Sequence, residues 1–251
     1  MPSRPFPHWR CAKHYLAPMK TLVLFDIDGT LLDAAGAGRT GFYQALQALF
    51  PGHDFPGISM AGRTDHGLWH ELAVHAPSQE TRPTFEVFLD TYASRLRERL
   101  TEIPPREIPG SSQLLLEIAR HEDLVPCLVT GNFREGARHK LQALGWWDLF
   151  EKAGEWASYG HAVPTKQTLA TELLTRWQEI HPGPVQAIFL GDTMADLECA
   201  HHAGIPCVIV NGNLPDQAFL DAGAVAIWKD YQDCASERVA ALRHLARPPQ
   251  G

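Results

Sequence analysis

The chain has 251 residues, 45% of them hydrophobic, which is enough to bury a full core and argues against a disordered protein. Its formal net charge of -7 argues against a general nucleic-acid binder, because such affinity rests on many Lys and Arg contacts. The five cysteines are odd in number and lack C-x-x-C spacing, which argues against a disulfide scaffold and a thiolate zinc site. No apolar run approaches the roughly 18 residues of a membrane span, which argues against membrane insertion. Together these features predict a cytoplasmic protein.

Residues 1–18 are predicted to form an irregular, basic extension that is broken by Pro2, Pro5 and Pro7. Met19 and Lys20 stand directly before the first strong strand. We therefore hypothesise that translation begins at Met19. A native protein whose intact mass includes residues 1–18 would contradict this hypothesis.

The first predicted strand, Thr21 to Phe25, is followed at once by the motif D-I-D-G-T at residues 26–30. Its two carboxylates, Asp26 and Asp28, are one residue apart and can both face a site at the carboxyl end of the strand. One carboxylate can attack phosphorus, and the other can protonate the leaving oxygen and then activate water. The alternative is an ordinary polar strand-to-turn junction.

Residues 34–108 differ from the rest of the chain, because they contain helical patterns but no convincing strand. These helices are predicted at Thr40–Phe50, Asp65–His75 and Thr84–Leu100. Turn residues border the segment at both ends. We therefore predict an inserted, all-helical cap domain.

Within this insertion, Arg63 precedes a predicted helix, and its planar guanidinium could grip a phosphate or carboxylate of a substrate. The structural alternative is that Thr64 or Asp65 caps that helix, and the two interpretations are compatible. His66 and His70 have the i, i+4 spacing of metal ligands but lack the H-E-x-x-H pattern, so a zinc site is not predicted.

After residue 108, short apolar strands alternate with helical patterns. The strands are predicted at Leu124–Val129, Gln186–Leu190, Cys207–Val210 and Ala224–Trp228, and the helices at Ser111–Arg120, Glu135–Leu144, Thr165–Gln178, Ala195–His202 and Cys234–Leu245. This alternation predicts an α/β fold: a Rossmann-like parallel sheet with helices on both faces and ligands beyond the carboxyl ends of the strands. The core is predicted at residues 19–33 and 109–246, with a tail at 247–251. Pro126 is expected near the beginning of its strand.

Two further strand ends carry polar residues. Thr130, Gly131 and Asn132 could hold a phosphoryl oxygen through a hydroxyl and backbone N–H groups, although this is also a common loop composition. Asp192 and Asp196 add two carboxylates at the same edge, and a hard divalent cation such as Mg²⁺ would relieve the repulsion among the acids. The alternative is that these two residues only cap the next helix.

A basic residue is expected beside these acids. Lys166 is predicted at the start of a helix, from which its ammonium could reach Asp26 and a phosphoryl group. A solvated surface lysine is the alternative. Lys152 is another candidate, and Lys140 fits more naturally within the preceding helix.

In this order and with this spacing, the four motifs resemble those of the haloacid dehalogenase-like hydrolase superfamily over residues 20–245. The resemblance implies that Asp26 is the nucleophile and Asp28 the general acid and base. It also implies Mg²⁺ bound by the Asp26 carboxylate, the Asp28 backbone carbonyl and Asp192, with Asp196 in support.

The resemblance further implies a phosphate site at Thr130, Gly131 and Asn132, with Lys166 as the lysine of the third motif. That motif departs from the commoner Gly-Lys-Pro pattern, since H-A-V-P-T-K occupies residues 161–166. The insertion matches the helical cap of phosphoglycolate-phosphatase-like members. True dehalogenases lack the second carboxylate, so Asp28 argues against dehalogenation.

These features predict a Mg²⁺-dependent phosphatase that hydrolyses a small phosphorylated metabolite through an aspartyl-phosphate, as a monomer or homodimer without a nucleic-acid or membrane partner. Phosphoglycolate is the leading substrate by analogy. Two alternatives are a phosphomutase, which returns the phosphoryl group to a sugar, and a non-catalytic ligand-binding module.

Overall fold

The structure is a computed structural model that describes residues 19–77, 83–232 and 234–249. The extension predicted over residues 1–18 lies outside the described residues, and so do the last two residues of the predicted tail. Within the described ranges, no helix is both long enough and apolar enough to span a bilayer.

Six parallel strands form the central sheet. In chain order, the strands of the described residues are β1 Lys20–Phe25, β2 Leu32–Asp33, β3 Arg106–Glu107, β4 Leu124–Thr130, β5 Ala157–Tyr159, β6 Val185–Gly191, β7 Cys207–Val210 and β8 Ala226–Trp228. The central sheet has the order β5-β4-β1-β6-β7-β8, and each neighbouring pair is parallel. β2 and β3 form a separate antiparallel pair.

Helices connect these strands and fill the insertion. They are α1 Ala37–Leu49, α2 Asp65–Ala73, α3 Phe85–Glu102, α4 Ser111–Ile118, α5 Arg134–Ala143, α6 Trp147–Lys152, α7 Leu169–Ile180, α8 Met194–His202, α9 Asp216–Asp221 and α10 Ala235–Leu245. The first three belong to the predicted insertion. The others alternate with the strands of the sheet.

Both faces of the sheet are covered. Alternate residues of a strand point to opposite faces, and in β1 Val23 and Phe25 belong to one buried cluster while Leu22 and Leu24 belong to the other. Helices α4 and α10 contribute to the first cluster, and α7 and α8 to the second. A parallel strand buried on both faces is continuously apolar, as β1 is from Leu22 to Phe25. The prediction of an α/β, Rossmann-like sheet with helices on both faces is confirmed.

The insertion packs around a group of aromatic rings. Phe42 of α1, Trp69 of α2, and Phe88 and Tyr92 of α3 are all buried. The ring centroids of Phe42 and Phe88 lie 4.6 Å apart in an edge-to-face arrangement, which is favourable for aromatic pairs beyond the area that they bury. These contacts hold the three helices together above the sheet edge.

Some predictions of local structure were wrong. No strand was expected in residues 34–108, yet β3 pairs with β2 at the border of the insertion, and a two-residue strand is too short to produce a periodic pattern. The helix predicted from Thr165 begins at Leu169, because residues 164–168 form bends and turns that bring Lys166 into the interior. β5, α6 and α9 were not predicted; β5 has three residues, and α6 and α9 have six each.

Pro126 is the third residue of β4, near its beginning as expected. β5 pairs only with Leu128–Thr130, so one side of β4 has no strand neighbour at Pro126. A residue without an N–H is tolerated at such an edge.

Candidate active site

The acidic motifs converge at the carboxyl edge of the sheet. Asp26 follows β1, and Asp192 follows β6, which is a parallel neighbour of β1. Because the carboxyl ends of parallel strands lie at one edge, both residues border the same cavity, whose volume is about 310 Å³. Met60, Arg63 and Tyr92 of the insertion also line this cavity. The cavity therefore lies between the sheet edge and the insertion.

Three carboxylates and one lysine are grouped at the floor of the cavity, where Asp26, Asp192 and Lys166 line it and Asp196 is buried beneath them. Carboxylate oxygens of Asp26, Asp192 and Asp196 all lie within 4.8 Å of one another. The Lys166 ammonium is buried, 2.7 Å from Asp26 Oδ1 and 2.5 Å from Asp196 Oδ1. When the three acids are ionised, three negative charges and one positive charge give this group a net charge of -2.

Burial and crowding raise the pKa of two of these acids. Burial raises the pKa of Asp26 to about 6, with Lys166 opposing the rise and Asp196 adding to it. Burial, followed by the charges of Asp196 and Asp26, raises the pKa of Asp192 to about 9. Burial alone would lower the pKa of Lys166, but the two adjacent carboxylates outweigh burial and raise it. The carboxylates therefore need a further positive charge to stay ionised together.

The group fits a hard divalent cation. Its donor atoms are carboxylate oxygens, which Mg²⁺ prefers, and a bound cation favours the ionised form of nearby acids. Within the described parts of the chain, this is the one set of three or more His, Cys, Asp or Glu side chains close enough to share an ion. Asp26 and Asp192 could act as carboxylate ligands, and the Asp28 backbone carbonyl is the further ligand that the resemblance implies.

A glycine lets the two acidic loops approach each other. Gly29 has a φ of 83°, and a Cβ at this position would lie 2.3 Å from Asp192 Oδ2. A side chain here would be strained and would also displace Asp192. The glycine of the first motif is therefore needed for the position of an acid in the last one.

Asp196 has a structural role besides its charge. Thr193 is the N-cap of α8, and Asp196 Oδ2 accepts hydrogen bonds from the Thr193 N–H at 2.9 Å and from its hydroxyl at 2.7 Å. This is a capping box. The capping interpretation is therefore right for Asp196 but not for Asp192, which precedes the N-cap. With its two oxygens bound to the cap and to Lys166, Asp196 supports the site, and Asp192 is better placed as a direct ligand.

The loop after β4 carries the predicted phosphate site. Thr130 is buried, and its Oγ1 accepts hydrogen bonds from the Asn132 N–H at 3.3 Å and the Asn132 side chain at 2.7 Å. Asn132 also donates to Asp28 Oδ2 at 2.8 Å, so its side-chain amide is engaged by protein groups. All three loop residues line the cavity, and their contact with phosphate stays a prediction.

Lys140 belongs to the site, although the sequence assigned it only to a helix. It does lie within α5, but its Nζ donates to Asp28 Oδ2 and to Asn132 Oδ1, both at 2.6 Å. Ala137, Lys140 and Leu141 share the buried face of α5, and a buried lysine requires a partner. A lysine on the apolar face of a predicted helix was therefore the sequence signal that could have identified Lys140 as a site residue. Lys152, the other candidate, is exposed on α6.

The capping interpretation made from the sequence is confirmed for the helix after Arg63, and Arg63 itself lies at the cavity. Arg63 lines the cavity, and its guanidinium forms an ion pair with Glu71 of α2. Thr64 is the N-cap of α2, because its hydroxyl accepts the Gly67 N–H at 3.0 Å. The role of Arg63 in gripping a substrate stays a prediction.

Hydrogen bonds fasten the beginning of α2 to the segments after β4 and β5. The Asp65 N–H donates to the Gly131 carbonyl at 2.9 Å, and the Asp65 carboxylate accepts the Phe133 N–H at 2.7 Å. The His66 N–H donates to the Gly160 carbonyl at 3.1 Å. The beginning of α2 is thereby joined directly to the loop after β4.

Asp65→Asn is expected to change how stability depends on pH. Burial raises the pKa of Asp65 from 3.8 to about 7, although the Phe133 N–H opposes the rise. Between these two values the folded state binds more protons than the unfolded state, so the stability linked to Asp65 is greatest at low pH and is lost as pH rises towards 7. Asn keeps an oxygen that can accept the Phe133 N–H but does not titrate.

Urea unfolding of both proteins between about pH 5 and pH 8 checks this expectation. The free energy of unfolding of D65N, relative to the unsubstituted protein, should rise by about 1 kcal/mol per pH unit up to neutrality and then level off. Asp90→Asn, an exposed change on α3, is the matched control and should show no such trend. A difference for D65N that is independent of pH would contradict the raised pKa.

A parallel sheet that presents carboxylates and a buried lysine at its edge, beneath inserted helices, defines the class of this protein as an α/β protein with an acidic centre at the carboxyl ends of its strands. The family model for haloacid dehalogenase-like hydrolases matches residues 23–210. The chain belongs to this family, and the resemblance seen in its motifs is confirmed.

Similar proteins cover most of the chain. An N-acetylmuramic acid 6-phosphate phosphatase of Pseudomonas aeruginosa is 26% identical over 189 residues, which are 72% of this chain and 77% of the relative. A hydrolase from Pseudomonas syringae has a similar structure with a TM-score of 0.62, at 21% identity over 88% of this chain and 99% of that one. A predicted phosphoglycolate phosphatase from Haemophilus somnus has a TM-score of 0.60, at 20% identity over 88% and 98% of the two chains. The structural likenesses show a shared fold.

Proposed function

We propose that this protein is a Mg²⁺-dependent phosphatase that hydrolyses a small phosphomonoester through an aspartyl-phosphate on Asp26. The position of Asp26 carries the proposal. Its carboxylate lies on the floor of the cavity, bound to Lys166 through Oδ1 and grouped with Asp192 and Asp196. The similarity to a sugar-phosphate phosphatase supports the same reaction class.

In the first step, Asp26 Oδ2 attacks phosphorus, since Lys166 binds the other oxygen. A bond forms between Oδ2 and phosphorus, and the bond from phosphorus to the ester oxygen breaks. Protonated Asp28 gives its proton to the departing alkoxide. Thr130 and Lys166 stabilise the phosphoryl oxygens as their charge develops.

In the second step, water attacks the phosphorus of the aspartyl-phosphate. Asp28, now a carboxylate, takes a proton from this water, and the acyl-phosphate bond breaks. Inorganic phosphate leaves, and the Asp26 carboxylate and the Asp28 proton are restored. Asp26, Asp192 and the Asp28 backbone carbonyl would hold Mg²⁺, which would supply positive charge to stabilise the transferring phosphoryl group.

The insertion is proposed to act as a cap that selects the substrate, with residues 34–108 as the cap and residues 19–33 and 109–246 as the core. Arg39, Met60, Arg63 and Leu68 of this segment line the cavity opposite the acids. The two arginines would favour a substrate with a second anionic group beside the phosphate. Phosphoglycolate and N-acetylmuramic acid 6-phosphate both have a carboxylate and are the first compounds to test.

Activity is expected to depend on a divalent cation. Phosphate release should be measured from a panel of phosphorylated metabolites with Mg²⁺ and after exhaustive treatment with a chelator. We expect turnover with Mg²⁺ that falls by at least about 100-fold in the chelated protein and returns on adding Mg²⁺, because the crowded carboxylates otherwise take up protons. Full activity in the chelated protein would contradict the proposal.

The same panel separates the alternatives. A phosphomutase would yield an isomeric sugar phosphate without net free phosphate. A non-catalytic module would bind a phosphorylated compound without consuming it. Release of inorganic phosphate in step with loss of ester supports hydrolysis.

A further inference from the structure

Lys140 is a buried lysine that the mechanism above does not use. It lies on α5, in the core, and its side chain is 3% exposed. Its partner Asp28 follows β1, 112 residues earlier in the chain, and the Asp28 side chain is 41% exposed. A buried cation therefore holds a carboxylate that opens onto the cavity.

This contact is a poor way to gain stability. Removing an ammonium from water is costly, and an ion pair with a partly exposed carboxylate offsets little of that cost. Asn132 adds to this desolvation cost, because its side chain is also buried in order to bind Lys140 and Asp28. The contacts among Lys140, Asn132 and Asp28 are better explained by the position in which they hold the Asp28 carboxylate.

The geometry is specific to one oxygen of Asp28. Oδ2 accepts hydrogen bonds from Lys140 Nζ at 2.6 Å and from Asn132 Nδ2 at 2.8 Å. Lys140 also donates to Asn132 Oδ1 at 2.6 Å, which fixes the two donors relative to each other. No hydrogen bond from another described residue engages Asp28 Oδ1. One oxygen is thus anchored, and the other is available to exchange a proton.

We propose that Lys140 positions Asp28, the general acid and base, by binding its Oδ2. Asn132 binds both residues and holds them in place. The inference rests on the proposed phosphatase function and deepens it. Lys140 borders the cavity, but its Nζ is engaged by Asp28 and Asn132, so it acts on the reaction through Asp28. It holds Asp28 so that Oδ1 delivers the proton to the departing alkoxide, and the need for Lys140 should therefore grow with the basicity of the leaving group.

The test compares kcat/KM for a series of phosphomonoesters that differ in leaving group, because kcat/KM reports the steps through formation of the aspartyl-phosphate. 4-Nitrophenyl phosphate releases a weakly basic phenolate that needs no proton, whereas alkyl phosphates need one. In Lys140→Met, kcat/KM for alkyl phosphates should fall about 100-fold further than kcat/KM for 4-nitrophenyl phosphate. Lys140→Gln, which keeps a hydrogen-bond donor and is easier to bury, should show the same steeper dependence and serves if the first variant does not fold.

Lys152→Met, an exposed change on α6, is the matched control and should leave the whole series unchanged. Equal losses for aryl and alkyl esters would overturn the inference and make Lys140 purely structural. The inference would also be overturned if kcat/KM fell most for substrates with a second anionic group, whatever their leaving group. Lys140 would then bind the substrate directly. An unsubstituted protein that is inactive on every ester would instead defeat the proposed function, and this inference with it.

Discussion

Asp26→Asn is expected to abolish turnover while the protein stays folded. The carboxamide retains an oxygen that can accept from Lys166, but it is not a nucleophile towards phosphorus. Loss of a covalent nucleophile elsewhere costs on the order of a million-fold, so we expect kcat to fall by at least about 10,000-fold. The measurement is release of inorganic phosphate with saturating Mg²⁺ from the best substrate of the panel.

Stability distinguishes this loss from unfolding. Burial raises the pKa of Asp26, which means that the folded protein tolerates its charge poorly. The neutral amide should therefore unfold at the same urea concentration as the unsubstituted protein or at a higher one. Rapid acid quenching should trap a phosphorylated enzyme with the unsubstituted protein and none with D26N. Turnover that survives in D26N would rule out Asp26 as the nucleophile.

Lys166→Met is expected to reduce both stability and activity. The lysine lies between Asp26 and Asp196, and all three groups are buried. Removing one partner of a buried ion pair leaves uncompensated charge, which typically costs about 3 to 5 kcal/mol of unfolding free energy. The phosphoryl oxygens would also lose a fixed cation, which is worth roughly 100- to 1,000-fold in kcat.

Magnesium provides a sensitive readout for this variant. A bound divalent cation would replace part of the missing charge, so Mg²⁺ should stabilise K166M more than it stabilises the unsubstituted protein. Urea unfolding with and without Mg²⁺, combined with phosphate release, measures both effects. Lys152→Met should behave as the unsubstituted protein does. Normal stability together with normal kcat in K166M would show that the buried ammonium of Lys166 is needed neither for folding nor for catalysis.

The sequence was most informative where burial leaves a strong pattern. β1 and β6 are covered on both faces, so their apolar runs were visible, and Asp26 and Asp192 could be placed at strand ends by position alone. The parallel sheet then predicts that the acids of these ends meet at one edge. The structure brings Asp26, Asp192 and Asp196 together there, while their catalytic roles stay predictions.

Contacts between distant segments could not be predicted in this way. Lys140 and Asp28 are 112 residues apart, and periodicity within α5 shows only that Lys140 faces inward, not what it meets. Lys166 was placed on a helix because residues 165–178 have helical periodicity. The chain instead turns at Lys166 to bury its ammonium, and tertiary ion pairs outweigh local helix propensity there.

Main chain packs closely against main chain where the insertion meets the segments after β4 and β5. A Cβ on Gly131 would lie 2.0 Å from the Arg63 carbonyl oxygen, and one on Gly67 would lie 2.4 Å from the Pro164 carbonyl oxygen. Attempts to redesign what this enzyme accepts should therefore start from Met60 and Leu68, whose side chains line the cavity, and should leave both glycines untouched. Even one added methyl group at Gly131 or Gly67 would push the insertion away from the core and so change the cavity itself.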